Sequence, residues 1–261
     1  MTPQHGTGIL IPVNPTRAPE PAKPEMARLR EECDELPEVP RARAAADNAD
    51  WSERGLLDGV TRRALVSMNL AFLDLAAELA EEGRLKQIPG LPPRALNSLI
   101  GLEAASTLCE RLPFALFDLR FAESAFWAAE IVAAGGVRNG FALPTADKRI
   151  VGFTRAVIMV AWHLAQTRAS CARLVFGASP ATVAAIAAMP VALVDRVARR
   201  VCLALSARFG SRTRFWLQFE GCAVRPNERS VAMLRQLGLQ IQGADSARGQ
   251  ALQRRFRECR T

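Results

Sequence analysis

Leu174 to Val194 reads LVFGASPATVAAIAAMPVALV, and the next six residues are DRVARR. Twenty-one consecutive positions carry no charge, which by length alone would suit a membrane span. The internal punctuation argues otherwise. Ser179 is a good N-cap and Pro180 suits a first helical position. Val183, Ile186 and Ala187 form a short apolar stripe that Met189-Pro190 interrupts. A second helix is expected to start near Pro190 and run through Val194, Val197, Val201 and Leu205, with Arg196, Arg199, Arg200 and Arg208 mostly elsewhere on its surface. A bilayer span would have to accept Gly177, Pro180 and Pro190, and its many alanines contribute little to insertion. The sequence thus predicts two short helices joined by a proline turn, and no membrane partner.

Working outward, the chain has 261 residues, 49% of them hydrophobic, enough to bury a sizeable core in one or two units. The formal net charge of +8 points to an anionic partner: nucleic acid, anionic lipid or an acidic protein. Almost all the positive charge is arginine, with lysine only at Lys23, Lys86 and Lys148. With abundant alanine, that also fits the codon bias of a GC-rich bacterial genome. The N-terminus shows no charged start followed by an apolar core and a small-residue cleavage site, so a cytoplasmic location is expected. Six scattered cysteines without a CxxC pair, and only His5 and His163 beside them, make a zinc site within the chain an unfavoured reading.

Residues 1–45 are rich in proline and charge and are expected to be a disordered tail, with one short helix around Glu25 to Glu35. From Asp50 the pattern changes. Leu65, Met68, Phe72, Leu75 and Leu79 recur at helical steps, and Gly83 would end that helix. A repeat is also visible. Asn69 to Phe121 can be laid beside Val157 to Phe219: an apolar helix, a Gly with a Pro three residues later (Gly90 and Pro93; Gly177 and Pro180), and a short helix. Leu96, Leu99 and Leu102 answer Val183, Ile186 and Met189. Each copy ends in an alternating segment, FALFDLRF or RFWLQF. Duplication is the economical reading, although apolar helical spacings match readily by chance.

The repeated unit resembles the FlhD family, a subunit of the bacterial flagellar master regulator. NLAFLDLAAEL (Asn69 to Leu79) with FDLRF resembles that family's long helix and closing segment, and VAWHLAQTRASCARLVFGAS (Val160 to Ser179) with FWLQF resembles the whole set. The family member is one small domain, whereas this chain has two such stretches, a proline-rich tail and an arginine-rich end. The resemblance implies an all-α protein of two tandem FlhD-like helical units after a disordered Pro-rich tail. Their extents are 50–130 and 151–222, with a linker at 131–150 and a C-terminal helix and basic tail at 223–261. It further implies a non-enzymatic subunit of a transcriptional activator that binds DNA together with an FlhC-like zinc-binding protein partner, with self-association mimicked inside one chain. Relatives of that pair control either motility or mobile-element genes, and both remain open.

Read without the resemblance, Arg196, Arg199, Arg200, Arg208, Arg212 and Arg214 cluster with only Asp195 against them. Arginine forks pair well with phosphate oxygens, so these six are the candidate DNA contacts. A solvated helix face with arginine stems covering apolar neighbours is the competing account. Arg248, Arg254, Arg255, Arg257 and Arg260 offer either a second nucleic-acid contact or a merely flexible basic tail. Asn227 to Gly243 reads as one more amphipathic helix, capped by Asn227. Trp51 and Trp127 are interface anchors or partly buried packing. Cys109 and Cys202 fall near corresponding places in the two copies, matching the family's intersubunit cysteine, or are buried thiols. GASPA around Ser179 lacks the second glycine of a nucleophile elbow, and GGVRNG (Gly135 to Gly140) lacks a phosphate-loop pattern. His163 is a pH switch or a satisfied helix histidine. No catalytic residue and no cofactor are expected. The rival function is a cytoplasmic protein-protein interaction adaptor of a secretion or conjugation apparatus.

Overall fold

Helices begin where the sequence supplies caps. Asp58 accepts from the amide of Thr61 at 2.7 Å and starts α1, Gly59–Glu81; Gly83 then turns the chain with φ +67°. Such side-chain caps contribute about 1 kcal/mol each. In this computed structural model, residues 57–92, 102–136, 146–225 and 227–258 are described, with backbone alone at 102–104 and 247–258. The tail at 1–45, its short helix, Trp51 and the middle of the expected linker lie outside the described residues.

After α1 come α2 (Leu102–Arg111), strand β1 (Phe117–Asp118) and α3 (Ser124–Gly135). Then follow α4 (Lys148–Thr167), α5 (Ala169–Phe176), α6 (Pro180–Ala188), α7 (Val194–Val201), strand β2 (Ser206–Ala207), α8 (Thr213–Val224) and α9 (Glu228–Glu258). The protein is all-α, since the two-residue strands are the only extended elements among the described residues. The opening stretch behaves as its punctuation predicts. Ser179 caps α6 through the amide of Thr182 at 3.1 Å, Pro180 opens the helix, and α5 meets α6 at a bend of 119°. The helix expected to reach Leu205 instead stops at Val201 and continues as a tight turn, Cys202–Ala204, because Leu205 is extended and leads into β2. Among the described residues one helix, α4, is long and apolar enough to cross a membrane by length and composition. Its Ile150, Val157, Ile158, Ala161 and Leu164 are buried against the rest of the protein.

Elements recur at a fixed step. Helices α1 and α4 start at Gly59 and Lys148 (59 to 148, a step of 89), each capped by an aspartate, Asp58 or Asp147. Strands β1 and β2 start at 117 and 206, and α3 and α8 at 124 and 213, again 89 apart. Arg120 (φ 58°) and Phe209 (φ 59°), the two left-handed non-glycine residues of the described chain, stand at the same step. The alternating-segment alignment needs correcting here: RFWLQF is helical, within α8, and its counterpart is SAFWAAEI at the start of α3. The true counterpart of FDLRF surrounds β2.

The recurring segments are interleaved. β1 and β2 pair antiparallel, Phe117 opposite Ala207 and Asp118 opposite Ser206. Around that ribbon the amide of Ala115 donates to the Val175 carbonyl at 2.8 Å and that of Ser179 to Phe121 at 3.1 Å, while Ala207 donates to Pro89 at 2.8 Å. Rings interdigitate likewise. Phe117 meets Phe72 at 5.6 Å and Phe153 at 5.0 Å, and Phe114 meets Phe209 at 5.5 Å. Each fully buried ring of this kind stabilises by roughly 1.5–3 kcal/mol, so the two expected units share one core within the compact unit 48–261.

Candidate nucleic-acid interface

The six arginines do not form one surface. Helix α7 presents three of them. Arg199 forms an ion pair with Asp195 at 2.9 Å, one turn earlier, and Asp195 also pairs with Arg155. Those two guanidinium groups hold the Asp195 carboxyl below its ordinary value, through the Arg199 hydrogen bond first. Arg200 reaches across to Glu130 of α3 at 2.7 Å, and Arg196 donates to the Ala134 carbonyl near the end of α3 at 3.2 Å. Arginines placed at a helix C-terminus satisfy orphan carbonyls and meet the negative end of the dipole. Arg196 and Arg200 therefore fasten α7 to α3, while Asp195 fastens it to Arg155 of α4.

Arg208 is a correction to the sequence expectation: it is 8% exposed and cannot reach a phosphate. Its Nη1 donates to the Val175 carbonyl at 2.7 Å, in the last turn of α5. Gly177 makes room, since a Cβ there would stand 2.0 Å from Arg208 Nη2. Burial pushes the guanidinium down to about 10, opposed by the charges of Asp118 and Asp245, so it stays cationic at neutral pH. Asp118 moves the other way, raised by burial and opposed by Arg208.

Arg212 and Arg214 stand at the start of α8. Arg212 pairs with Asp245 of α9 at 3.2 Å, and Arg214 is exposed. One turn earlier on α9, Gln242 donates to the carbonyls of Arg173 and Leu174, at 3.1 and 2.9 Å. Helix α9 thus meets the exposed Arg173 at its carbonyl and Arg212 at its side chain, and Arg214 lies two residues beyond Arg212 at the start of α8. Sequence reasoning missed Arg173, because only the tertiary crossing of α9 over α5 places it there.

The remaining candidates resolve simply. Cys109 and Cys202 are separately buried free thiols, and burial pushes Cys109 up to about 12. Trp127 is fully buried against Phe121, 5.2 Å away and stacked. His163 is exposed on α4, in a shallow groove with Val60, Met159 and Arg168. Among the described residues no group of three or more His, Cys, Asp or Glu side chains could hold a metal ion. A larger groove of about 480 Å³ lies between α1 and α2, lined by Arg62, Arg63, Val66, Leu70, Glu110 and Arg111. No family model, no curated protein and no solved structure matches the chain.

Proposed function

We propose that the chain is a cytoplasmic, non-enzymatic subunit of a bacterial transcriptional activator, two fused FlhD-like copies that engage DNA together with an FlhC-like zinc-binding partner. The observation that carries this reading is the step of 89 residues between mutually completing elements, above all the pairing of β1 with β2 from equivalent positions. Two such copies on separate chains would be an isologous dimer. Fusion replaces their association by an intramolecular step, so assembly no longer depends on subunit concentration.

Exposed apolar side chains support a protein partner in this reading. Leu217 (58% exposed) and Val224 (60% exposed) lie two turns apart on α8, and exposed apolar positions in register are a usual mark of a docking face. That face serves the adaptor reading equally, as does the groove between α1 and α2. Tagged pull-down from the host, with mass spectrometry of bound proteins and sequencing of bound DNA, each with and without nuclease, separates the two. The activator reading expects a zinc-binding FlhC-like protein that survives nuclease, together with enriched promoter fragments. Secretion or envelope components with no enriched DNA would replace it with the adaptor.

A further inference from the structure

We infer that the basic junction where α9 crosses α5 and α8, continued by the arginine-bearing end of α9, is a phosphate-contacting surface for duplex DNA. The inference rests on the activator reading and assigns it a surface. Helix α9 is held on the body over its first half. Leu234 is fully buried, Gly238 lies so close to Phe114 that a Cβ would stand 2.2 Å from the ring, and Arg111 grips Glu228 through two contacts of 3.1 and 2.8 Å. Gln242 and Asp245 then tie the middle of the helix to α5 and to the start of α8.

From Ser246 the helix continues for thirteen more residues to Glu258. At 1.5 Å per residue that is about 20 Å, long enough to cross a major groove about 12 Å wide. This segment carries Arg248, Arg254, Arg255 and Arg257, with Glu258 its one acidic residue. At its root stand Arg173, Arg212 and Arg214, with Asp245 engaged by Arg212. The half of α9 up to Asp245 is already seated on the body, so that half has little ordering entropy to lose when it meets a ligand.

Duplex DNA fits better than the other polyanions. A helix that lies on a lipid surface needs a broad apolar face opposite its charges. At about 100° per residue, Arg248, Arg254, Arg255 and Arg257 fall on one half of the helix register and Leu252 and Phe256 on the other, so the apolar strip is a single pair of large residues and not a broad face. The cations are all arginine, whose fork suits phosphate oxygens. The α7 arginines are occupied by Asp195, Glu130 and the end of α3, so they are not the alternative.

The test is fluorescence anisotropy of the full chain with a short labelled duplex of mixed sequence over a salt series. Two variants carry it: Arg173→Ala with Arg214→Ala, and Arg248, Arg254, Arg255 and Arg257 all replaced by glutamine, which keeps helix propensity. Arg199→Ala with Arg200→Ala is the comparator, and circular dichroism checks that each variant is folded. Each lost phosphate contact lowers the salt slope by about 0.9. The glutamine variant should therefore lose up to about 3.6 of slope and bind roughly tenfold or more weaker at moderate salt, while the comparator binds like the parent. Binding unchanged in both variants, or lost in the comparator alone, overturns the surface and leaves the activator reading standing. Binding to phosphatidylglycerol vesicles but not to the duplex overturns it in favour of lipid. No duplex binding by the parent chain also overturns it, while the co-purification experiment decides the activator reading separately.

Discussion

Arg208 and Gly177 show how one buried cation organises its surroundings. The guanidinium caps the last turn of α5 at Val175 and fills the space over Gly177, whose φ of +65° suits glycine. Two costs meet in Gly177→Ala: left-handed backbone for an L residue, about 1–2 kcal/mol, and displacement of Arg208 from its carbonyl, about 1.5–3 kcal/mol for a charged hydrogen bond. The single substitution should destabilise by about 3 kcal/mol in urea titration, and in an Arg208→Ala background its cost should fall to the backbone strain alone. Equal cost in both backgrounds would mean that Arg208 is not what the missing Cβ spares. Asn69 is comparable in logic. Fully buried, it donates to the Phe114 carbonyl at 3.1 Å and accepts from the Leu116 amide at 2.9 Å, so one side chain satisfies the backbone on both sides of the chain that leads into β1.

At the scale of elements, the start of α4 is the most strongly charged contact. Asp147 caps the helix through the Arg149 amide at 2.8 Å and pairs with Arg149 and with Arg84, each at 2.9 Å, while Arg149 also reaches Glu82 beyond the end of α1. The Arg149 hydrogen bonds, side chain first, hold the Asp147 carboxyl at about 2 against an ordinary 3.8. A depressed folded-state value means that the contribution to stability is complete above the ordinary value and disappears as pH falls through the folded one. Urea midpoints should therefore drop between about pH 4 and pH 2 more steeply for the parent than for Asp147→Asn, which keeps the cap but has no charge to lose. Parallel curves would show that this cluster does not carry acid sensitivity. Much at this scale was readable beforehand: the end of α1 at Gly83, the Ser179 cap, and α9 starting after Asn227, which accepts from the Ser230 amide at 2.8 Å. RFWLQF was not, because alternation over six residues competes with a helical reading in which Phe215, Trp216 and Phe219 share a buried face.

For the whole molecule, interleaving is the property with consequences. Residues 57–136 and 146–258 each lack, when alone, the strand and carbonyls that the other supplies. Expressed separately, neither segment should show cooperative thermal unfolding by circular dichroism, and co-expressed they should recover it as a stable pair. Two independently folding halves would contradict the shared core. The recurrence itself had a clear sequence signal: the dipeptide Phe-Trp occurs at 126–127 and 215–216, the step of 89 that the elements follow. Gly90 and Gly177, each with a Pro three residues later, suggested a step of 87 instead, and both do have positive φ. They perform different tasks. Gly90 lets the backbone pass Gly210, while Gly177 accommodates Arg208.

The sequence by itself determined the helical class, the proline turn that keeps Leu174–Val194 from being one rod, and the caps at Ser179 and Asn227. Those features arise from local chemistry: side-chain oxygens beside free amides, ring-constrained φ, and apolar periodicity. Only the tertiary structure decided which partner each arginine has. Arg196, Arg199 and Arg200 lie adjacent along the chain but are bound to α3 and Asp195, Arg208 is buried, and α9 meets Arg173 at its carbonyl and Arg212 at its side chain. An arginine's partner is set by which carboxylate or carbonyl the fold brings within about 3 Å, and contacts across a separation of 62 or 70 residues, as for Arg196 and Arg200, have no trace in local sequence.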